Sequence, residues 1–261
     1  MLSLKYRRLS DYLKKQGSVA VAFSGGVDSS VLAAVAFRAL GSKAIAITLD
    51  SPTMARSELR LSRALARSIG IRHVVVKHTE LSNKKFVSNP RDRCYYCKSE
   101  MVKVLRKVAA ELGLDAVIEG TNADDLHGHR PGYKALKEKG ILSPFAELGF
   151  TKRDIRGLSR KLNLPISEKP PNACLSSRIP YGSRITRKKL DLIQKAEDYV
   201  RRLGVGQLRV RMHGDVARIE VDEKEFAVVL KNRTKIAERL RKLGFKHVAL
   251  DLSGYRAGSM N

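Results

Sequence analysis

The stretch from Ser24 to Ser30, with the sequence SGGVDSS, combines residue types that bind phosphate groups. Gly25 and Gly26 allow the chain to turn sharply and bring backbone N–H groups close to a ligand. The apolar run that follows predicts a helix, and a helix N-terminus carries a partial positive charge and unpaired N–H donors. The sequence therefore predicts a phosphate-binding turn between a strand and a helix.

This loop differs from two common nucleotide-binding motifs. It lacks the lysine that ends a Walker A loop, and Ser29 stands where the Rossmann fingerprint has its third glycine. It resembles the PP-loop, Ser-Gly-Gly-x-Asp-Ser-Ser, which is the pyrophosphate-binding signature of enzymes that cleave ATP between its α and β phosphates. The alternative is a glycine-rich turn in which the Ser and Asp side chains only cap the helix.

The three cysteines are the second group of residues that could take part in chemistry. Their odd number argues against a disulfide framework. Cys94 and Cys97 form a C-x-x-C ahead of a predicted helix, and Cys174 lies 77 positions beyond Cys97. A C-x-x-C is compatible with a redox pair, half of a zinc site or part of an iron–sulfur site. A Cys₄ zinc site is excluded by the count, but a Cys₃His site with His127 or His129 stays open.

Five segments together resemble the LarE family of ATP-dependent sulfur transferases, in that family's order and over nearly the whole chain. They are the PP-loop, NPRDRCYYCK, EGTNADD, ACLSSRIPYG and LRVRMHGDVARIEV. The resemblance implies an enzyme that adenylates the carboxylates of pyridinium-3,5-biscarboxylic acid mononucleotide. It then converts them to thiocarboxylates, in the synthesis of the nickel-pincer nucleotide cofactor.

The resemblance also implies where the sulfur comes from. One branch of the family has a single cysteine in the place of Cys174, sacrifices its sulfur and is left with dehydroalanine. A second branch has three cysteines and holds a 4Fe-4S cluster, whose open fourth iron carries the sulfide that is donated. We expect Cys94, Cys97 and Cys174 to hold such a cluster and to be catalytic, because soft thiolates suit iron–sulfur clusters. Sacrifice of Cys174 without a cluster is the alternative.

The expected nucleotide contacts surround ATP and Mg²⁺. Asp28 and Asp125 would bridge the Mg²⁺ ion, because they are carboxylates at strand ends near a triphosphate, and Asp28 is also a predicted catalytic residue. Arg56 and Lys98 would offset the charge of the leaving pyrophosphate. The full nucleotide-binding set is Phe23, Ser24, Gly25, Gly26, Asp28, Ser29, Ser30, Asp50, Ser51, Arg56, Gly120, Thr121 and Asp125.

The expected substrate carries a phosphate and carboxylates, which cationic side chains would bind. Arg209 and Arg211 alternate on one predicted strand and therefore share a face, where they would clamp an anion. Arg178 follows the third cysteine closely. The resemblance places Glu197 and Glu220 near this region, where a salt bridge to an arginine explains them equally well. The substrate-binding set is Lys98, Arg178, Arg209, Arg211, Glu197 and Glu220.

Alternating strands and helices must position the nucleotide set. Strands are predicted at Val19–Phe23, Lys43–Leu49, Arg72–Lys77 and Ala116–Glu119, and helices at Ser29–Leu40, Ser57–Ile69 and Lys98–Leu112. This order predicts an α/β fold with a parallel sheet covered by helices on both faces. Ligands bind at the carboxyl ends of such strands, where the PP-loop, Asp50 and Gly120 lie.

The pattern changes after Pro165–Gly182, a Pro- and Ser-rich segment that is too long for an idle loop and cannot be regular helix. An αββαβ block follows, with a helix at Lys188–Leu203, strands at Leu208–Met212 and Val216–Val221, helix over most of Glu223–Leu243, and a strand at His247–Leu252. We predict a PP-loop ATP-binding domain at 1–164, a cysteine-bearing active-site loop at 165–185 and a small α+β domain for substrate binding or oligomerisation at 186–261.

Composition narrows the class of protein. No apolar run approaches 18 residues, and the charged N-terminal segment lacks the features of a signal peptide, so we expect a cytoplasmic enzyme with no membrane partner. The net charge of +25 invites a nucleic-acid partner, but the charge is spread evenly without a basic tail, which argues against one. The expected partners are the mononucleotide substrate, a sulfide donor and, because the family forms oligomers, further copies of the chain.

Three rival functions remain open. A tRNA thiolase of the PP-loop class usually adds RNA-binding domains or further cysteines, of which this sequence shows no sign. An amidotransferase or synthetase related to NAD or GMP synthetase would not need three thiols. A nucleotide-binding regulatory module would leave the thiols without a purpose.

Overall fold

The computed structural model of the 261-residue chain describes residues 2–126 and 130–256. The described residues form two compact units, one from positions within 1–80 and 92–172 and the other from positions within 81–91 and 173–261. Positions 81–91 thus lie in the second unit, although the predicted first domain runs from 1 to 164. The domain boundaries near 164 and 185 remain predictions. His127 and His129, the candidate fourth zinc ligands, lie outside the described residues.

The first unit alternates strands and helices. Its strands are β1 (Val19–Ala22), β2 (Ala44–Asp50), β3 (Arg72–Lys77) and β4 (Ala116–Ile118). Its helices are α1 (Leu2–Lys15), α2 (Val27–Leu40), α3 (Arg56–Ile69), α5 (Arg93–Glu111), α6 (Pro131–Glu138), α7 (Pro144–Glu147) and α8 (Lys152–Lys161), with 3₁₀ turns at Gly41–Lys43 and Ala123–Leu126.

The second unit is built around a hairpin. Its strands are β5 (Leu208–His213), β6 (Val216–Val221) and β7 (His247–Leu250). Its helices are α4 (Lys84–Val87), α9 (Arg187–Arg201), α10 (Phe226–Lys231) and α11 (Arg233–Leu243), with 3₁₀ turns at Leu175–Arg178 and Glu223–Glu225.

The described strands of the first unit form one parallel sheet in the order β3-β2-β1-β4. Val19 of the central strand β1 lies opposite Ala44 of β2 and Ala116 of β4. This arrangement confirms the predicted α/β fold with a parallel sheet. It also brings the carboxyl ends of these strands to one edge of the sheet, so the loops that follow them meet there.

Both faces of this sheet are buried, which explains why β1 and β2 read as continuous apolar runs. Val19 and Val21 pack into a core with α1, α2 and α8, and Ala20 packs on the opposite side with α5 and α6. Side chains alternate between faces along a strand, so a strand covered on both sides is apolar at most positions, and the buried Thr48 of β2 satisfies its hydroxyl by a hydrogen bond to the carbonyl of Phe23. In the described part of the chain, no helix has the length and apolarity needed to cross a bilayer.

Helix α5 begins five residues earlier than the sequence predicted, at Arg93 rather than Lys98. The C-x-x-C therefore lies inside the first turns of the helix, not ahead of it. The prediction was late because the apolar periodicity starts only near Met101, whereas the first turns carry Cys, Tyr and Lys side chains. Asp92 occupies the N-cap position, and its carbonyl accepts a hydrogen bond from the backbone N–H of Tyr95 at 2.8 Å.

The second unit has a mixed sheet. Strands β5 and β6 pair as an antiparallel hairpin, and β7 pairs in parallel with β6. The order of α9, β5, β6, α10, α11 and β7 confirms the predicted αββαβ block. Segment 165–182 contains a single 3₁₀ turn and otherwise irregular structure, so its prediction as non-helical is confirmed within the described residues.

Asn89 explains why positions 81–91 belong to the second unit. It is fully buried and has a left-handed backbone conformation with φ of 60°. Its side-chain amide nitrogen lies 3.3, 2.7 and 3.0 Å from the carbonyl oxygens of Ile179, Pro180 and Ser183, and its own carbonyl accepts from the N–H of Gly182 at 2.9 Å. One side chain thus satisfies the buried backbone of a loop that has no regular structure.

We predict that Asn89→Ala lowers the free energy of unfolding by about 2 kcal/mol or more, because buried carbonyl groups lose their donor. Thermal and denaturant unfolding monitored by circular dichroism measure the effect. Asn163→Ala is the matched control, because Asn163 has the same left-handed conformation, with φ of 55°, but is exposed. Equal losses in both variants would show that backbone strain, not hydrogen bonding, accounts for the change.

Candidate functional site

The PP-loop follows β1 and passes very close to α3. Gly25 has φ of 72°, and a Cβ atom built on it would lie 3.0 Å from the Cα atom of Ser62. Both the backbone conformation and the space require glycine. The loop starts at Phe23, which is buried and whose carbonyl accepts a hydrogen bond from Thr48 Oγ1 at 2.6 Å.

The hydroxyl groups of the loop have different positions. Ser24 Oγ accepts from the N–H of Gly26 at 3.3 Å, and Ser29 Oγ donates to the carbonyl of Gly26 at 3.2 Å. These two serines therefore shape the loop itself. Ser30 Oγ is buried without a hydrogen-bond partner among the described residues. The predicted phosphate contacts thus comprise two loop-forming hydroxyls and one buried hydroxyl.

Asp28, on the first turn of α2, forms an ion pair that the sequence did not predict. Its Oδ2 atom lies 2.5 Å from Nζ of Lys152, on the first turn of α8, while its Oδ1 atom is buried without a partner in the described ranges. Burial raises the pKa of Asp28 above its ordinary value, and nearby Asp125 raises it further, although Lys152 opposes both effects. Asp125 itself pairs with Arg130, with Oδ1 3.2 Å from NH2, so the predicted sharing of a Mg²⁺ ion between Asp28 and Asp125 remains a prediction.

Arg56 lies at the carboxyl end of β2, where it organises the loop that leads to α3. Its guanidinium donates to Oδ1 of Asp50 at 2.5 Å and to the carbonyls of Ser51 and Met54 at 2.6 and 3.0 Å. The side chain of Arg56 is 40% exposed, so it holds the loop backbone while part of it stays in contact with solvent. Its predicted role toward pyrophosphate remains a prediction.

The loop after β4 also approaches α2 closely. A Cβ atom on Gly120 would lie 3.0 Å from the backbone nitrogen of Ser29. Thr121 donates from its backbone and its hydroxyl to Oε2 of Glu119, at 3.0 and 2.8 Å. Asp125 accepts from the amide of Asn122 at 2.7 Å. The structure thus places Gly120 against the first turn of α2, whereas Thr121 and Asp125 form these hydrogen bonds within their own loop.

A series of hydrogen bonds links the end of β2 to α5, the helix that carries Cys94 and Cys97. Ser51 Oγ lies 2.9 Å from Thr53 Oγ1, which donates to Oε1 of Glu80 at 2.9 Å. The same carboxylate oxygen lies 3.8 Å from Sγ of Cys97. Glu80 is buried, and its other oxygen has no partner in the described part of the chain. Neither Thr53 nor Glu80 belongs to a recognisable motif, so sequence reasoning missed both.

Cys94 and Cys97 are three residues apart on α5, so both project from the same side of the helix. Lys98 follows them, and its stem passes Gly132 of α6, where a Cβ atom would lie 3.3 Å from Lys98 Cγ. Cys174 belongs to the second unit and forms the N-cap of its first 3₁₀ turn. All three cysteines are described, and none forms a disulfide.

The described residues do not display the predicted 4Fe-4S site as a group of metal ligands. Within residues 2–126 and 130–256, no group of three or more Cys, His, Asp or Glu side chains is arranged to hold a metal ion. The thiols have the right chemistry for iron, and Cys94 and Cys97 share one face of a helix. The cluster therefore stays a prediction.

The predicted substrate-binding residues of the second unit form buried ion pairs. Arg178 and Glu197 are both completely buried, with Arg178 Nε 2.8 Å from Glu197 Oε1. Arg178 also donates to the carbonyls of Ala173 and Cys174 at 2.7 and 3.1 Å. This pair therefore fixes the backbone that carries Cys174.

A second buried pair joins the two strands of the hairpin. Arg211 Nε lies 2.9 Å from Oε1 of Glu220, and Arg211 NH1 donates to the carbonyl of Ser177 at 2.8 Å. Arg209 is also buried, and its guanidinium stacks 5.0 Å from the ring centre of Tyr255. Burial lowers the pKa of Arg209, and the positive charge of Arg178 lowers it further. Glu197 and Glu220 thus form salt bridges with arginines, and the roles of all these residues in substrate binding remain predictions.

Two lysines at the PP-loop escaped the sequence analysis because they are remote in the chain. Lys152 pairs with Asp28, as described above. Lys169 lies in the segment before Cys174, yet its Nζ atom is 3.2 Å from the carbonyl oxygen of Gly25 and 2.5 Å from Oε2 of Glu58. No local pattern marks either residue, and only the fold places them beside the loop.

We predict that Glu197→Gln lowers the free energy of unfolding by about 3–5 kcal/mol at pH 7, because Arg178 is left buried without its counter-charge. Burial alone would raise the pKa of Glu197, but the charges of Arg178 and Arg201 outweigh burial and hold the pKa below its ordinary value. The stabilisation is therefore complete above the unfolded-state pKa and is lost as the pH falls through the lower folded-state pKa.

Denaturant unfolding at a series of pH values measures this effect. The gap between wild type and Glu197→Gln should be largest near neutral pH and should narrow below about pH 4.5. Glu238→Gln is the control, because Glu238 is an exposed residue of the same unit. A gap that does not depend on pH would contradict the assignment of an ionised Glu197.

The sequence of this chain is similar to those of several known proteins. The asparagine synthase family model matches residues 8–217. An uncharacterized protein of Synechocystis is 42% identical, over 100% of this chain and 98% of its own length. The pyridinium-3,5-bisthiocarboxylic acid mononucleotide synthase of Lactiplantibacillus plantarum is 35% identical, over 100% of this chain and 95% of its own length. A glutamine-hydrolyzing GMP synthase component of Archaeoglobus fulgidus is 27% identical, over 71% of this chain and 65% of its own length.

The family model spans the PP-loop and all three cysteines, and the first two relatives extend the similarity over both units. The GMP synthase similarity covers a smaller share of both chains. This chain therefore belongs to the LarE family of ATP-dependent sulfur transferases, within the PP-loop superfamily.

Proposed function

We propose that this protein converts pyridinium-3,5-biscarboxylic acid mononucleotide to its thiocarboxylate forms in the synthesis of the nickel-pincer nucleotide. The observation that carries the proposal is the full-length similarity to a synthase named for the bisthiocarboxylic product, in a chain whose PP-loop is intact. Each cycle would consume one ATP and one sulfur atom and would convert one carboxylate. The cytoplasmic location and the homo-oligomeric state remain predictions.

In the first step, a carboxylate oxygen of the substrate attacks the α-phosphorus of ATP. The bond to the bridging oxygen breaks, pyrophosphate leaves, and an acyl-adenylate forms. The loop from Ser24 to Ser30 would bind the phosphates through its N–H groups and hydroxyls. Asp28 and Asp125 would hold Mg²⁺, which offsets phosphate charge, and the unpartnered Oδ1 atom of Asp28 supports that role.

In the second step, a sulfur nucleophile attacks the acyl carbon of the adenylate. The carbon–oxygen bond to AMP breaks, and a thiocarboxylate remains. Sulfide is already an anion at the moment of attack, so this step needs no side-chain base. Adenylation supplies the driving force, because AMP is a far better leaving group than the oxide of a carboxylate.

The three cysteines are the proposed sulfur carriers. We place Cys94, Cys97 and Cys174 as ligands of a 4Fe-4S cluster, which when bound would present a sulfide on its open iron. The shared helix face of Cys94 and Cys97 supports two of the three ligands. Sacrifice of Cys174 is the competing route, and the exposure of its side chain is compatible with it.

The arginines of the second unit are the proposed binding groups for the substrate's phosphate and carboxylates. Arg178, Arg209 and Arg211 are all buried, and Glu197 and Glu220 are buried counter-charges. Arg178 and Arg211 both donate to Ser177, at 3.0 and 2.8 Å, so these two guanidinium groups lie close together. A bound anion would relieve the repulsion among the guanidinium groups. Lys98, beside the cysteine pair, remains a further candidate for this role.

The direct test is an anaerobic assay with ATP, Mg²⁺, the dicarboxylate mononucleotide and sodium sulfide. Mass spectrometry should find the thiocarboxylate, with AMP and pyrophosphate in equal amounts. Amide formation when ammonia replaces sulfide would favour a synthetase, and sulfur incorporation into bulk tRNA would favour a tRNA thiolase. Either of these results without thiocarboxylate formation would overturn the proposal.

The sulfur source gives a separate prediction. We expect anaerobically purified protein to contain about four irons and four sulfides per chain and to transfer more than one sulfur per chain. Serine substitution at Cys94, Cys97 or Cys174 should lower the iron content and stop repeated turnover. A single turnover, with a loss of sulfur mass at Cys174 and no dependence on Cys94, would establish the sacrificial route instead.

We further predict that Asp28→Asn lowers substrate-dependent ATP–pyrophosphate exchange by about 100-fold, because a metal-binding carboxylate contributes several kcal/mol of charge stabilisation. Exchange reports adenylation alone, so it is independent of the sulfur source. Asp11→Asn is the control, because Asp11 is an exposed acid on α1. Exchange within about twofold of wild type in Asp28→Asn would remove Asp28 from the site.

A further inference from the structure

Lys169 lies against the PP-loop although it is 144 residues away from Gly25 in the chain. Its ammonium nitrogen is 3.2 Å from the carbonyl oxygen of Gly25 and 2.5 Å from Oε2 of Glu58. The side chain is only 18% exposed, so this is a defined position and not a surface lysine in solvent. All three residues belong to the first unit.

The PP-loop segment SGGVDSS contains no cationic side chain of its own. The PP-loop lacks the lysine that Walker A loops direct at phosphate groups. The other ammonium described at this loop, that of Lys152, pairs with Asp28. Lys169 thus places a second positive charge within hydrogen-bond distance of the loop backbone.

Glu58 pairs with this charge through only one of its two carboxylate oxygens. The Oε2 atom of Glu58 pairs with Lys169, and its Oε1 atom accepts a hydrogen bond from the amide of Asn172 at 2.9 Å. An ammonium group has three donors, and the contacts with Glu58 and Gly25 use two of them. Lys169 can therefore add a phosphate oxygen, or exchange Glu58 for one, without leaving the loop.

We propose that Lys169 is a phosphate-binding residue that contacts the β and γ phosphates of ATP and the pyrophosphate that leaves. This inference rests on the proposed function, since it gives a further residue to the adenylation step. Lys169 supplies from the segment before Cys174 the cation that the loop motif lacks. Glu58 is then a counter-ion that competes with the ligand.

The test is calorimetric titration with MgATP and, separately, with magnesium pyrophosphate. Lys169→Met should weaken the binding of pyrophosphate about tenfold or more, as expected for a lost charge-assisted hydrogen bond. Lys169→Arg should recover part of the loss. Lys161→Met is the matched control, because Lys161 is an exposed lysine of the same unit.

Glu58→Gln separates ligand binding from a purely structural salt bridge. If Lys169 binds phosphate, the loss of the competing carboxylate should leave the affinity for pyrophosphate unchanged or make it higher, opposite to Lys169→Met. If the pair only fastens the segment to α3, both variants should weaken binding and lower the melting temperature alike. That second result, or affinity within about twofold of wild type in Lys169→Met, overturns the inference.

The failure of this inference is distinguishable from that of the proposed function. Pyrophosphate binding needs neither the pyridinium substrate nor sulfur, so its measurement tests the role of Lys169 independently of the proposed reaction. Wild-type protein that forms thiocarboxylate while Lys169→Met binds pyrophosphate normally would overturn only the role of Lys169. Weakened pyrophosphate binding in a protein that forms no thiocarboxylate would leave the phosphate contact standing and overturn the function.

Discussion

The close approach of backbone to backbone around the PP-loop is the constraint on which the nucleotide site depends. The loop meets α3 at Gly25, where a side chain would lie 3.0 Å from Ser62 Cα, and the first turn of α2 meets the end of β4 at Gly120. Because neither position has room for a Cβ atom, the PP-loop lies directly against α3, and the loop after β4 lies directly against the first turn of α2. The N–H groups and carboxylates of those loops can then face the same phosphate groups.

Charge is arranged differently in the two units. At the PP-loop, Asp28 with Lys152 and Glu58 with Lys169 are partly exposed pairs, with side chains 18–34% accessible to solvent. In the second unit, Arg178 with Glu197 and Arg211 with Glu220 are almost wholly buried. A buried pair is costly to break, and these pairs hold the backbone at Ala173, Cys174 and Ser177. They therefore fix the cysteine-bearing segment from within its own unit.

Several features were predictable because they depend on local chemistry. The strands β1 to β3 follow from short apolar runs, and the PP-loop follows from glycines and hydroxyls at fixed spacing. The start of α5 was misplaced because the apolar periodicity that marks a helix starts only near Met101, after Cys94 and Cys97. The structural role of Asn89 was not predicted. Its side chain donates to carbonyl groups about 90 positions away, and no sequence pattern encodes such a contact.

The sequence by itself determined the parallel α/β fold, the phosphate-binding loop and the family, because periodicity and motif spacing are properties of neighbouring residues. Only the tertiary structure decided which distant charges meet: Lys152 with Asp28, Lys169 with Glu58, and Arg178 with Glu197. It also decided that Glu80 links Thr53 to Cys97. The physical reason is that ion pairs and hydrogen bonds act over a few ångströms, and the fold alone brings residues that are far apart in the chain within that distance.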